Sequence, residues 1–197
     1  MSVTWCKRCV YPSSSAISIT FDDEGVCSGC RVAEQNVPDA EIDWEERKLL
    51  LKETILENRK RDDYYDCIIG VSGGKDSYYQ AHVIKNELGL NPLLVTYYGN
   101  NYLPEGEYNL HRMADVFDAD RLISKPGVDK LRKLNRLGFK MMGDMNWHNH
   151  CGIYTVPVRT AVRYDIPVVL YGEHGRTNIG GMFNLDDMVE HTARYVR

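Results

Sequence analysis

The stretch Ser72-Gly73-Gly74-Lys75-Asp76-Ser77 combines the residue types that hold a phosphate chain. Neither Gly73 nor Gly74 carries a Cβ, so the backbone can turn sharply and bring several N–H groups against an anion. The hydroxyls of Ser72 and Ser77 donate to phosphate oxygens, and Lys75 adds a mobile positive charge. Asp76 has two readings, a Mg²⁺ ligand or a cap on the following helix. The Walker spacing is absent, because the two glycines are adjacent and Lys75 precedes an aspartate. The plainer alternative is a Gly-Gly turn between any strand and helix, with Ser and Asp serving only as caps.

A second constellation lies near the start of the chain. Cys6 and Cys9, then Cys27 and Cys30, form two CxxC pairs with seventeen residues between them. This is the spacing of a zinc ribbon, in which each pair makes a knuckle that points two sulfurs at one tetrahedral ion. Ser18 to Phe21 and the turn Asp22 to Gly25 read as a hairpin between the knuckles, with Gly29 allowing the second knuckle's turn. So small a module with few large apolar groups needs the metal to fold, and four thiolates leave no open coordination position for catalysis. Iron fits four thiolates as well as zinc does. Two disulfides are the alternative, disfavoured because nothing in the sequence indicates export. Cys67 and Cys151 stand outside the set, and Cys67 reads as a small core residue.

Further candidates fall at strand ends and helix starts. The carboxyl end of the strand over Pro92 to Tyr98 places Thr96 to Asn101 near a nucleotide, with Asn100 able to reach adenine or ribose and a polar turn as the alternative. Asp144 to Cys151 is dense in reactive groups. His148, His150 and Cys151 could bind a second metal if further ligands joined them, line a polar substrate wall, or cap a helix. Gly172, Glu173, His174 and Arg176 end another strand; Glu173 suits Mg²⁺ or substrate, and Arg176 suits phosphate charge. Lys125, Lys130, Arg132, Lys133, Arg136 and Lys140 make one helix basic, which is either a solvated face or a contact for an anionic substrate or acidic partner.

Positioning these groups requires an alternating α/β domain. A strand at Cys67 to Val71 feeds the Ser-Gly-Gly loop, and a helix with apolar Tyr78, Ala81, Val83, Ile84 and Leu88 leaves it. Gly89 stops that helix, and a second strand spans Pro92 to Tyr98. A helix at Glu107 to Phe117, a strand at Arg121 to Ser124, the basic helix, an amphipathic segment at Ile153 to Tyr164 and a strand at Pro167 to Tyr171 continue the pattern. Asp43 caps a helix reaching Lys60, whose apolar side is Trp44, Leu49, Leu50, Leu51, Ile55 and Leu56. The expected organisation is a ribbon over 1–36, a helical connector over 37–63 that packs the ribbon onto the main domain, and a nucleotide-binding domain over 64–197.

With 43% hydrophobic residues the chain can bury a real core. Its net charge of −4 disfavours a broad nucleic-acid surface, and no apolar run reaches a membrane span. Without a signal-peptide core, a cytoplasmic location is expected. The last stretch, from Asn184 to Arg197, carries no stop signal, so a longer parent chain is expected to continue it.

Ser-Gly-Gly-Lys-Asp-Ser after an apolar strand resembles the loop of the PP-loop ATP pyrophosphatases, which split ATP between the α- and β-phosphates. The fuller set of Trp5 to Val10, Ile19 to Cys27, Tyr65 to Ser77 and Tyr171-Gly172-Glu173 is similar to the N-acetyl sugar amidotransferases of bacterial surface-polysaccharide and nonulosonate pathways. That resemblance implies an adenine nucleotide alpha hydrolase-like fold: an open parallel sheet with helices on both faces, preceded by a small zinc ribbon. It implies ATP, Mg²⁺ and Zn²⁺ as cofactors and adenylylation of an acetamido oxygen, after which ammonia displaces AMP. Ser72, Gly73, Gly74 and Ser77 would hold the β,γ-phosphates, Lys75 would offset charge during transfer, and Asp76 would hold Mg²⁺. It further implies a separate glutaminase with a companion barrel subunit as the ammonia source. Family members are longer, which leaves part of the sugar pocket outside this chain. The tRNA thiolation enzymes share the ribbon and loop, but they add catalytic cysteines and a basic RNA face. A non-catalytic interaction module that kept a nucleotide fold is the remaining alternative.

Overall fold

The computed structural model describes residues 3–14, 19–35, 43–99 and 101–172. They fall into two compact units, residues up to 43 and residues 44–172.

The first unit is held by short backbone pairings, Trp5 with Pro12 and Phe21 with Cys27, both antiparallel. Asp22 shapes the turn between them, its Oδ1 accepting the amides of Glu24 at 3.0 Å and Val26 at 2.9 Å. Gly25 closes that turn at φ 77°. The expected hairpin is therefore present as a single bridge and a turn; Ser18 lies outside the described residues. Helix α1, Ser28–Gln35, follows directly. Gly29 is one of its residues rather than a left-handed knuckle turn, and the left-handed positions of this unit are Val10 and Gly25. Arg31 on α1 bonds Asp22 at 2.7 Å and Glu34 at 3.0 Å, tying the helix to the turn.

The second unit begins with α2, Trp44–Asn58. Then come β1, Cys67–Gly70; α3, Lys75–His82; β2, Pro92–Tyr97; and α4, Pro104–Phe117. The chain continues through β3, Arg121–Ser124; α5, Val128–Met142; α6, Trp147–Tyr164; and β4, Val169–Leu170. The four strands form one parallel sheet in the order β3-β2-β1-β4. The chain runs from β1 through β2 to β3 at one edge and returns to add β4 on the other side of β1, so the strand order reverses between β1 and β4, where open parallel sheets hold ligands.

Alternation along the strands sorts the core. Ile69, Val71 and Leu94 face Ile55 of α2, Ala81 of α3, and Leu110, Met113 and Phe117 of α4. Ile68, Leu93 and Val95 face Ala161 of α6 and Ile166. The central strands are almost wholly apolar because both faces are covered, the buried Thr96 being the polar member of β2. Each fully buried Ile or Leu contributes about 1.5–3 kcal/mol relative to exposure. Helix α5 packs on α6 rather than on the sheet. Of the six apolar residues expected on α2, Ile55 is buried and Leu51 and Leu56 pack partly against it, while Trp44, Leu49 and Leu50 are exposed. Three residues at helical spacing suffice for its one contact face.

Two irregularities bear on the site. After α3 the helix widens into a π-helical turn, Val83–Glu87, with Leu88 N–H bonding the Val83 carbonyl at 2.9 Å, before Gly89 ends it at φ 68°. Pro157 sits inside α6, fully buried, where it removes a donor from the helix ladder. The Tyr171 hydroxyl donates to the nearby Tyr154 carbonyl at 2.9 Å. Among the described residues no helix is long and apolar enough to cross a membrane.

Candidate functional site

The phosphate-type loop lies where the sequence places it, between β1 and α3. Gly73 turns the chain at φ 82°, and a Cβ there would lie 2.8 Å from the Cα and N of Leu110 on α4. Only glycine combines that dihedral with that approach. Gly74 then takes the N-cap position of α3 at φ −79° without any side-chain cap bond. No N-cap side chain takes the first-turn amides of α3, and the helix dipole adds positive potential at this end.

Ser77 is buried and Ser72 exposed. The Ser72 amide donates to the Ser77 hydroxyl at 2.9 Å, and the two hydroxyls stand 3.3 Å apart. Ser77 thus fixes the loop from inside while Ser72 presents its hydroxyl outward. Lys75 and Asp76 are exposed, with Lys75 Nζ donating to Asp76 Oδ1 at 2.6 Å. Asp76 does not cap α3, which leaves it for a cation or for Lys75. A magnesium ion binds through one or two carboxylates plus substrate phosphates, so a single Asp76 fits one arriving with a nucleotide.

Thr96 is 1% exposed and donates to the Val71 carbonyl at 2.9 Å, joining β2 to the residue that precedes the loop. It supports the loop from beneath and does not line it. The parallel register pairs Ile69 with Leu170, which puts Gly172 level with Val71 and beside the loop. A Cβ on Gly172 would meet the end of the Gln80 side chain of α3 at 2.1 Å, a flexible neighbour that would have to move aside. Asn100, Glu173, His174 and Arg176 lie outside the described residues.

Helix α6 starts at the same end of the sheet, and its first turn carries the reactive cluster. The turn separates the three candidates. His148 points inward, 9% exposed, while His150 and Cys151 are exposed. His150 Nε2 stands 3.8 Å from Asp144 Oδ2. His148 Nδ1 meets the Tyr97 hydroxyl at 3.2 Å, and burial holds its pKa below the ordinary value, partly opposed by Asp144. Tyr97, Asn135, Asn149 and Gly152 complete this corner; Tyr97 and Asn149 fall inside the two stretches that the sequence marks, while Asn135 and Gly152 are not picked out by it. Tyr97 lies against Gly152, where a Cβ would sit 2.1 Å from its ring. An aromatic residue two positions beyond the last buried valine of a strand was the available signal.

The four cysteines converge. Their sulfurs all lie within 4.8 Å of one another, with Cys9 to Cys27 at 3.6 Å and Cys6 to Cys30 at 4.0 Å. Sulfurs around one tetrahedral zinc stand about 3.8 Å apart, and a disulfide needs about 2.05 Å, so the set fits a metal. The amides of Cys9, Cys27 and Arg8 donate to Cys6 Sγ and hold its pKa down at about 6. The Cys9 thiol, then burial, push Cys30 up to about 12, since neighbouring thiolates repel without a cation. This is the only group of three or more such ligands among the described residues. Cys67 is buried, and burial pushes it up to about 12, which makes it an inert core thiol.

On α5, Lys130, Lys133, Arg136 and Lys140 are exposed and pair with no carboxylate among the described residues. Lys125 precedes α5, its Nζ 4.0 Å over the Tyr98 ring.

No family model matches the chain. An uncharacterized protein of Methanocaldococcus jannaschii is 26% identical over 118 residues, covering 60% of this chain and 41% of that protein. Among solved structures, the NH3-dependent NAD synthetase of Campylobacter jejuni is similar at a TM-score of 0.45 and 16% identity, covering 73% of this chain and 62% of that one. The U34-tRNA thiolase of Methanococcus maripaludis, solved with its [4Fe-4S] cluster, is similar at a TM-score of 0.28 and 16% identity, covering 71% of this chain and 51% of that one. The chain therefore spans less than two thirds of the length of each of these proteins.

Proposed function

We propose that the protein is an ATP-dependent, AMP-forming amidotransferase that converts the acetamido group of an N-acetyl sugar to an acetamidino group. The observation that carries this reading is the loop from Ser72 to Ser77, turned by Gly73 against Leu110 and opening an uncapped helix at the carboxyl end of a central strand. Such a loop suits a leaving pyrophosphate, because its amides and hydroxyls are fixed before the charge develops. An amide carbonyl is a poor electrophile. Its oxygen attacks the α-phosphorus of ATP, forming an O–P bond and breaking the bond to the β-phosphate oxygen. The lone pair of ammonia then attacks the imidate carbon, and AMP departs with the C–O bond. Ser72, Gly74 and Ser77 bind the β,γ-phosphates, Gly73 shapes their seat, and Lys75 offsets charge during transfer. A magnesium ion arriving with ATP would neutralise phosphate charge, and Asp76 would hold it. The four-cysteine unit is a structural zinc site. The ammonia source is a separate glutaminase with a companion barrel subunit, and the reaction takes place in the cytoplasm as a step of surface-polysaccharide or nonulosonate synthesis.

One observation favours a second reading. Lys130, Lys133, Arg136 and Lys140 of α5, which pair with no carboxylate among the described residues, suit a polyanion, as tRNA thiolation by the same carbonyl adenylylation would require.

The test follows AMP and pyrophosphate release from Mg-ATP with ammonium chloride, across free and nucleotide-linked N-acetylhexosamines and, in parallel, bulk tRNA. Sugar-dependent release that Ser72→Ala abolishes supports the amidotransferase. Release with tRNA alone transfers the assignment to thiolation, and ATP binding without turnover on either identifies a binding module.

A further inference from the structure

The corner between β2, α5 and α6 contains a hydrogen-bond chain with a fixed polarity. Asn135 on α5 is assigned with its amide nitrogen inward, because the opposite orientation sets its oxygen against the carbonyls of Leu131 and Met145; the nitrogen then stands 3.2 Å from each carbonyl and 2.6 Å from His148 Nε2, and its two N–H groups serve two of these three acceptors. In that orientation Nε2 faces a donor nitrogen with no lone pair to offer, so the ring nitrogen carries no proton. The proton of the neutral imidazole is then on Nδ1, which faces the Tyr97 oxygen at 3.2 Å and donates to it. Tyr97 therefore receives a hydrogen bond and keeps its own O–H to give. That O–H has no acceptor among the described residues.

Position gives this donor its meaning. Gly70 pairs with Val95 in the β1–β2 register, so Tyr97 is level with Ser72, the first residue of the loop. Tyr97 shares a strand face with Val95, on the side of the sheet covered by α6, whereas α3 leaves the loop toward the other side. A substrate at the loop beyond the strand ends lies between these two sides. The ring is held rigidly, with Gly152 and Gly99 both too close to it to carry a Cβ. Burial raises the pKa of Tyr97, which keeps the phenol protonated, and His148 is held neutral by the same cause. The charged groups around the corner are Asp144, which opposes that effect on His148, and the exposed His150 and Cys151.

We infer that Tyr97 is a substrate hydrogen-bond donor of this site, its O–H freed for an acceptor oxygen of the acetamido sugar by the chain Asn135 to His148 to Tyr97. His148 and Asn135 are positioning residues, acting through Tyr97. The inference rests on the reading given under Proposed function for the identity of the substrate, though not for the polarity of the chain.

Two measurements on the full chain test it. The first is the tautomer of His148, read from the ¹⁵N shifts and long-range couplings of ring-labelled protein above pH 7 and assigned with His148→Gln. Protonated Nδ1 is expected, shifting toward an Nε2–H mixture in Asn135→Leu; protonated Nε2 in the wild type overturns the inference. The second is steady-state pyrophosphate release with the active N-acetyl sugar. Tyr97→Phe is expected to lose about 10- to 100-fold in kcat/KM for the sugar, the effect of removing one donor from a buried site, with KM for ATP unchanged. Asn135→Leu is expected to lose less and to steepen the fall of kcat/KM below pH 7, since His148 then protonates more readily. Wild-type kcat/KM in Tyr97→Phe overturns the inference. If no N-acetyl sugar supports turnover, the amidotransferase reading fails, and the His148 tautomer alone decides the chain's polarity.

Discussion

Gly73 and Leu110 meet backbone to backbone: a Cβ on the glycine would stand 2.8 Å from both the Cα and the N of the leucine. The loop between β1 and α3 is thus clamped by α4, a helix contributed by the next β-α unit of the chain. Loop shape and the packing of α4 on the sheet are consequently one property, since Leu110 is itself fully buried in the core.

Adjacent glycines of the loop should therefore fail differently. Gly73→Ala combines a left-handed dihedral with a backbone clash and is expected to cost about 2–5 kcal/mol in urea unfolding. Gly74→Ala has ordinary dihedrals, and its nearest neighbour would be Ser72 Oγ at 3.5 Å. Its stability should change by less than about 1 kcal/mol, while ATP affinity measured by calorimetry should fall as the new methyl obstructs the phosphates. Equal stability losses in the two variants would contradict the clamp.

Metal content is the second prediction. Purified protein should carry one zinc or iron ion per chain by elemental analysis, bound by Cys6, Cys9, Cys27 and Cys30. Chelation, or Cys27→Ser, should melt the pairing of Trp5 with Pro12, read as loss of hydrogen-exchange protection at the Cys6 and Ser13 amides. Cys67→Ser should leave metal content unchanged, because that thiol lies in the sheet.

A pH dependence follows from His148. Its folded pKa lies below the ordinary value of 6.5, so the unfolded chain binds its proton more readily. The stability it contributes is complete above about pH 6.5 and is lost as pH falls through the lowered folded pKa. Urea midpoints should decline between pH 7 and pH 5, and the decline should be shallower in His148→Gln. An identical pH profile in the two proteins would show that His148 titrates freely in the fold.

Thiol reactivity separates the two remaining cysteines. Cys151 is exposed on the first turn of α6 and should react with a disulfide reagent in native protein within minutes. Cys67, buried and pushed up to about 12, should react only after unfolding. Rapid native labelling of both would mean that β1 opens to solvent.

Much of this molecule is written locally. The strand into Ser72, the helix out of Ser77 and the Gly89 stop follow from short-range pattern and dihedral preference, and the structure reproduces each. The CxxC pairs specify their convergence because two knuckles with thiol ligands have one good use. The same local rules misjudge α2, where an apolar residue in sequence says nothing about whether a partner surface exists, and Leu49 and Leu50 remain exposed. They also group His148, His150 and Cys151, which the turn of α6 then sends in different directions. What the sequence by itself determined is the loop, the cysteine quartet and the alternation that makes a parallel sheet, because all three depend on neighbours within one or two elements. Only the tertiary structure decided that Gly73 is locked by Leu110, that Thr96 sits beneath the loop, and that Tyr97, His148 and Asn135 form one chain. Those contacts join residues from separate β-α units, and their existence depends on strand order and register, which no local pattern encodes.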